Sequence, residues 1–123
     1  MATNYVQAGD TIDWANGSGS AVSSGDVVAM GQTLGVALVD IANGASGAVA
    51  IKGVFTVAKV SAAVIAQGES LTWDSSVAAF DDNAATAATG DITGAAAMAA
   101  ESAGNAVTMI NVLFTGVPGT LTA

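Results

Sequence analysis

The sequence of 123 residues contains no cysteine and no histidine. Without cysteine, it has neither a disulfide framework nor a thiol nucleophile. Without histidine, it has no imidazole to act as a general base, a proton shuttle or a metal ligand. Any catalytic base would therefore have to be a lysine or a carboxylate.

Positive charge is scarce as well, because Lys52 and Lys59 are the only basic side chains against ten Asp and Glu, which gives a net charge of −8. A nucleic-acid groove needs several cations, and anionic lipid repels an acidic chain. We therefore expect no nucleic-acid partner and no membrane partner. The first ten residues have neither the basic region nor the apolar region of a signal peptide, and no run of about 18 apolar residues is free of polar interruption. We therefore expect a soluble chain, and the absence of cysteine fits synthesis in the cytosol.

Proline occurs once and glycine fifteen times. Turn signals such as Asn16-Gly17, Asn43-Gly44 and Gly90-Asp91 recur between short runs rich in valine, isoleucine, threonine and aromatic residues. This spacing predicts a mainly β fold, a small antiparallel β-barrel or sandwich of short strands. The predicted strands are Thr11–Trp14, Val27–Met30, Thr33–Val39, Ala48–Lys52, Val54–Val57, Leu71–Trp73, Ile92–Ala100 and Val107–Phe114.

Two segments are ambiguous between helix and strand. In Ser61–Gln67, Ser61 suits an N-cap and Gly68 follows the end, so we predict one short helix there. The alanine-rich part of Ile92–Ala100 has helical propensity, but only Met98 could anchor a helix to a core. We therefore predict a strand of small residues over that segment.

The composition predicts one domain. An extended N-terminal arm covers residues 1–9, a single β domain covers residues 10–114, and a C-terminal tail covers residues 115–123. Residues 83–91 are predicted to form a loop.

Paired carboxylates are the remaining candidates for acid–base chemistry or Ca²⁺ binding. Asp10 and Asp13 are close in sequence, as are Asp81 and Asp82, but these contexts favour hydrogen bonds to the local backbone. Their spacing, with Asp91 included, matches no EF-hand loop. We therefore expect no catalytic residues and no metal site.

Tyr5 and Val6 stand apart from the other large apolar residues because they lie in the arm. An aromatic and an aliphatic side chain on an extended segment suit docking onto another protein, by strand addition or into a pocket.

Several short segments follow one another in a recognisable order: Asn4–Asp10, Val22–Val28, Gly35–Ala37, Gly53–Lys59, Lys59–Asp74, Thr93–Ala96 and Val107–Val112. In this order, over residues 3–114, the chain resembles the small capsid decoration, or cement, proteins of bacteriophages. None of these segments is a catalytic or ligand-binding motif. The resemblance therefore rests on the order in which they follow one another along the chain.

The resemblance implies a structural virion protein, not an enzyme, that binds the outer surface of a mature phage head. By this analogy it forms a homotrimer at three-fold and quasi-three-fold positions and clamps adjoining subunits of the major capsid protein. It implies synthesis in the host cytoplasm and no cofactor. The residues expected to contact the capsid are Thr3, Asn4, Tyr5, Val6 and Gln7.

Two other functions remain open at this point. The chain could be another β-rich virion component of the tail or surface. It could also be a carbohydrate-binding surface module in which Trp14 and Trp73 stack on sugar rings.

Overall fold

The computed structural model describes residues 9–123, and this part of the chain contains eleven short strands and no helix. The strands are β1 (Thr11–Ala15), β2 (Val27–Met30), β3 (Thr33–Ala37), β4 (Ser46–Ala50), β5 (Lys52–Ala58), β6 (Thr72–Asp74), β7 (Ala79–Asp81), β8 (Ile92–Thr93), β9 (Ala97–Ala99), β10 (Met109–Thr115) and β11 (Thr120–Leu121). No helix within these residues could therefore cross a membrane.

The strands form three antiparallel sheets, and the fold includes a curled half-barrel. The first sheet has the order β1-β4-β3-β2, the second β5-β10-β9 and the third β11-β8-β6-β7. The longest ladder joins β5 to β10 and runs from Met109 opposite Ala58 to Thr115 opposite Lys52.

A main core fills the space between the sheets. The ring of Phe114 packs edge-on against Phe55 and Phe80, with centroids 5.9 Å away in both cases, and Trp73 packs against Phe80 at 5.0 Å. Edge-to-face ring pairs add about 0.5–1.5 kcal/mol each beyond the burial of their area. The main core also contains Leu34, Val36, Val57, Ala63, Ile65, Leu71, Ile92, Ala96, Ala97, Ala99, Ala103, Ile110 and Val112.

A smaller cluster lies on the other face of the first sheet. Ala37 follows Val36 in β3, and neighbouring side chains in a strand point to opposite faces. The cluster contains Val28, Ala37, Ile41 and Val49, and Trp14 packs against it.

Strands β4 and β5 are consecutive and are separated by Ile51 alone, although they belong to the first and the second sheet. Val36 of the main core lies opposite Ala50, so the Ala50 side chain faces that core. Val57 faces it too, although it is an odd number of residues away, and a regular strand would put the two on opposite faces. The change of face falls at Ile51, the one residue between β4 and β5, because the β5–β10 register is unbroken from Lys52 to Ala58. Gly53 nearby has a φ of +129°, which residues with a Cβ rarely adopt.

The predicted mainly β fold is confirmed, but the predicted helix over Ser61–Gln67 is wrong. Ala63 and Ile65 are buried, whereas Ala62 and Val64 are exposed. Burial therefore alternates every second residue, as in an extended strand, and does not follow the 3.6-residue period of a helix. The backbone of Ile65 exchanges hydrogen bonds of 2.8 and 2.9 Å with that of Ala103. A short segment of weak helical propensity cannot outweigh this tertiary pairing.

The predicted single strand over Ile92–Ala100 is divided into β8 and β9 by a turn at Gly94, whose φ is +89°. Ala97 and Ala99 are fully buried beside β10, so the small residues do form a strand in a crowded place. Residues 83–91 contain no strand, as predicted for a loop.

Two strands were not predicted. β7 pairs with β6, and β11 lies within the predicted tail, where it pairs with β8. The N–H of Thr122 also donates to the carbonyl of Asp91 at 2.9 Å. Much of the tail is therefore fixed to the β domain.

Candidate functional site

The carboxylates at turns accept hydrogen bonds from nearby backbone, as their sequence contexts predict. Asp81 accepts from the N–H of Asp82 at 2.8 Å, and Asp82 accepts from the N–H of Ala84 at 3.0 Å. Asp10 instead lies 3.9 Å from the Nζ of Lys52 in an exposed ion pair. Among residues 9–123, no three acidic side chains come together as metal ligands would.

Asp91 is the one buried carboxylate among these residues. Its Oδ2 accepts the N–H of Ala88 at 2.9 Å, and its Oδ1 accepts the N–H and Oγ–H of Ser75 at 3.0 and 3.1 Å. The N–H of Ala88 and then the Ser75 donors lower the pKa of the Asp91 carboxyl, against the opposing effect of burial. Asp91 thus joins the turn after β6 to the loop before β8.

Lys59 is buried at the end of β5, with only 4% of its surface exposed. Its Nζ donates to the carbonyls of Val60, Ser61 and Val107 at 2.8, 3.2 and 3.0 Å. An ammonium group has three protons to donate, and three carbonyls lie within reach. Lys59 is therefore a clamp between the segment after β5 and the segment before β10.

The two tryptophans lie in different clusters. Trp73 is buried in the main core, and Trp14 packs against the smaller cluster. The two rings therefore do not form one surface platform, and the burial of Trp73 gives no support to sugar stacking.

The second sheet presents an apolar outer face to solvent. Leu113 lies opposite Val54 on one side and Met98 on the other, which makes an apolar row across three strands. The hydroxyl of Thr56 donates to Oδ1 of Asn111 at 2.6 Å. We call this surface the outer face, and it consists of Val54, Thr56, Ala58, Met98, Met109, Asn111 and Leu113.

None of these seven side chains is charged, and the next pair of the ladder on this face, Thr115 and Lys52, adds a cation and no carboxylate. Glu101 lies at the margin, where its Oε1 accepts the N–H of Asn111 at 3.1 Å. A face without carboxylates is the part of an acidic protein that approaches another protein with the least charge repulsion.

A cavity of about 400 Å³ adjoins one end of this sheet. Its lining includes Thr56 and Ala58 of β5, Asp26 beside β2, and a set of apolar side chains: Val22, Val27, Val57, Trp73, Ala78 and Met109. Asp26 and Thr56 are the polar side chains of this lining, so the cavity presents polar and apolar surface together.

The predicted capsid-contact residues Thr3, Asn4, Tyr5, Val6 and Gln7 all lie outside the described residues. The sequence model of the phage cement protein family matches residues 6–113. The chain belongs to the phage cement protein family. The resemblance found in the sequence is therefore confirmed, and comparison with curated protein sequences finds no match.

Membership of this family makes the chain a virion-associated protein that stabilises a phage capsid. A protein with this role has the phage capsid as its partner. For a cement protein, the features described above divide into those that make the domain rigid, such as Lys59 and Asp91, and those that are open to a partner, such as the outer face.

Reasoning from the sequence missed the buried roles of Lys59 and Asp91. Lys59 continues the inward alternation of Phe55 and Val57, and that period of two could have indicated its burial. Asp91 follows a glycine at a predicted turn, and nothing local distinguishes it from the exposed turn aspartates.

Proposed function

We propose that this cement protein binds the outer surface of a mature phage head and clamps adjoining subunits of the major capsid protein. In this proposal it acts as a homotrimer at three-fold and quasi-three-fold positions, by binding alone and without catalysis. The match to the phage cement protein family is the observation that carries the proposal.

The physical basis of such stabilisation is mass action. A protein that binds the expanded shell and not the precursor shifts the equilibrium toward the expanded shell. Three linked binding sites in a trimer also make each contact after the first effectively intramolecular, so weak individual contacts suffice.

The outer face and the arm residues Thr3–Gln7 are the surfaces that we assign to the capsid. The outer face is supported by its apolar row and its lack of carboxylates. The arm is supported by the aromatic and aliphatic side chains of Tyr5 and Val6 in its sequence. The buried tertiary contacts of the main core hold the outer face in one shape before binding, which lowers the entropic cost of association.

Binding to heads tests the proposal. Purified protein is mixed with expanded heads that lack it and with unexpanded precursor heads, and bound protein is measured by co-sedimentation. We expect saturable binding to expanded heads only, with density on the exterior at three-fold positions in electron cryomicroscopy. Binding to tails, or to neither type of head, would overturn the proposal.

A further inference from the structure

Strand β1 has one side with which no strand within residues 9–123 pairs, because β1 ends the first sheet and β4 occupies its other side. The carbonyl of Asp10 accepts from the N–H of Ile51 at 2.9 Å, so the even-numbered residues of this segment direct their backbone groups to β4. Backbone groups alternate in direction along a strand. Those of Thr11, Asp13 and Ala15 therefore point away from β4, to a side that we call the β1 edge.

The charge of Asp13 decides which strands suit the β1 edge. Asp13 and Ala15 are exposed, and strand edges of this kind pair readily with other strands. The antiparallel pairing of two β1 strands with the largest overlap would place Asp13 opposite Asp13 of the second copy, and like charges directly opposite each other are destabilising. A segment without carboxylates is therefore a better occupant of this edge than a second copy of β1.

The chain turns at Gly9 and Asp10, directly before β1. A Gly-Asp pair between two segments suited to strands is typical of a two-residue hairpin loop. The residues that flank such a loop, here Ala8 and Thr11, face each other through their backbone groups. Thr11 directs these groups to the β1 edge, as this hairpin requires. A hairpin at this turn would therefore direct the preceding residues back along the β1 edge.

The sequence before the turn suits a strand at this edge. Residues 1–8 contain no charged side chain, and Thr3, Tyr5 and Val6 are of types that favour strands. Eight residues precede Gly9, which is enough to span the five residues of β1.

The register of this hairpin places two aromatic residues together. Counted from the loop, Tyr5 lies opposite Trp14, and residues directly opposite each other on two strands point to the same face of the sheet. Trp14 is half-buried and packs against the smaller cluster, whose four buried members are all aliphatic. Tyr5 would lie beside Trp14 over this cluster, and aromatic pairs across strands stabilise a sheet.

We propose that Thr3–Ala8 binds the β1 edge of the same chain, as an antiparallel strand joined to β1 by the turn at Gly9 and Asp10. The short loop makes this binding intramolecular, so the effective concentration of the arm at the edge exceeds that of a segment from a separate molecule. The first sheet thereby gains a fifth strand. This inference concerns the free protein and goes beyond the proposed function, because the other side of the arm stays available to a capsid partner.

A cysteine pair tests this placement, since the chain has no cysteine of its own. Asn4→Cys is combined with Ala15→Cys, because Cα atoms of hydrogen-bonded pairs across antiparallel strands lie about 5.5 Å apart, within the reach of a disulfide. The matched control combines Asn4→Cys with Ser46→Cys, since Ser46 is exposed and lies opposite Ala15 on the other side of β1. Two strand spacings, about 10 Å, would then separate the control cysteines, which is too far for a disulfide.

Oxidation at low protein concentration compares the two pairs. We expect the Asn4→Cys, Ala15→Cys variant to form a disulfide within one chain at least about tenfold faster than the control. The products are separated by mass, which distinguishes disulfides within one chain from disulfides between chains.

Amide hydrogen exchange gives a second readout without cysteine. The amides of Asp13 and Ala15 should exchange at least about tenfold more slowly in the full chain than in a chain lacking residues 2–8. The amide of Trp14 points to β4 and serves as the internal control. Its protection should be nearly the same in both chains, which shows that the shortened chain is folded.

The proposal requires both results. Disulfides only between chains would assign the β1 edge to a second copy and overturn it. A disulfide that forms no faster in the test pair than in the control would also overturn it, as would unchanged exchange of Asp13 and Ala15. Neither measurement involves heads, so failure here leaves the proposed function untouched.

Discussion

The two faces of the β5–β10 ladder both carry large apolar side chains, yet they have different surroundings. On the inner face Val57, Ile110 and Phe114 are almost completely buried in the main core. On the outer face, Val54 and Met109 remain 57% and 49% exposed. The same alternation of β-branched and aromatic residues thus supplies a core on one side and an uncovered apolar surface on the other.

This difference in burial indicates that the inner-face residues serve folding and that the outer-face residues are available for binding. Burial of the inner face stabilises the domain by about 25 cal/mol for each Å² of apolar surface removed from water. The outer face has not yet gained this stabilisation, and a partner that covers it would provide it. Substitutions on the two faces should therefore affect different measurements.

The largest effect on stability is expected for Phe114→Ala on the inner face. The substitution removes two edge-to-face ring contacts and leaves a cavity, so it should cost about 3–5 kcal/mol of unfolding free energy. Chemical denaturation monitored by tryptophan fluorescence measures this loss. Val54→Ala is the matched outer-face control and should cost less than about 1 kcal/mol. Equal losses of unfolding free energy for the two variants would contradict the claim that the inner face stabilises the fold more than the outer face does.

The two lysines give the next largest contrast. Lys59→Met leaves the carbonyls of Val60, Ser61 and Val107 without their ammonium donor, so it should cost about 2–3 kcal/mol. Lys52→Met breaks only an ion pair whose lysine side chain is 54% exposed, and it should cost less than about 1 kcal/mol. Thermal unfolding of both variants checks the order, and a larger loss for Lys52→Met would contradict the clamp role of Lys59.

A smaller effect is expected for Asp91→Asn. The asparagine side chain has one oxygen that accepts hydrogen bonds, where the Asp91 carboxylate has two. Either the Ala88 donor or the Ser75 donors therefore lose their acceptor, at a cost of about 1–3 kcal/mol of unfolding free energy. Since folding lowers the pKa of Asp91 below 3.8, its contribution is present above that pH and is lost as pH falls through the folded pKa.

Unfolding free energies at several pH values check the Asp91 prediction. The difference between wild type and Asp91→Asn should be greatest near neutral pH and should shrink in acid. Asp26→Asn, which alters an exposed turn carboxylate, serves as the control. A difference that grows as pH falls would contradict the role assigned to Asp91.

Local patterns were sufficient to predict much of the fold. The alternation in Val107–Phe114 located β10 because one face meets the core and the other meets solvent. The helix at Ser61–Gln67 was predicted wrongly because the pairing of Ile65 with Ala103 is not visible in the local sequence. β11 was missed because a strand of two residues, Thr120–Leu121, depends on a partner far away in the chain.

The candidate site was less predictable than the fold. The arm was singled out by Tyr5 and Val6, but the outer face requires knowledge of which strands are neighbours. Leu113, Val54 and Met98 are far apart in sequence, and only the register of β5, β10 and β9 brings them into one row.

The most direct test of the central claim, that the inner face serves folding and the outer face serves capsid binding, is the affinity of two aspartate variants for expanded heads. Val54→Asp places a charge on the outer face, and Val77→Asp places the same charge at a similarly exposed position, 59% against 57%, in the turn between β6 and β7. We predict that both variants unfold at nearly the wild-type temperature and that only Val54→Asp loses affinity, by about tenfold or more. Equal affinity of the two variants for heads would contradict the account.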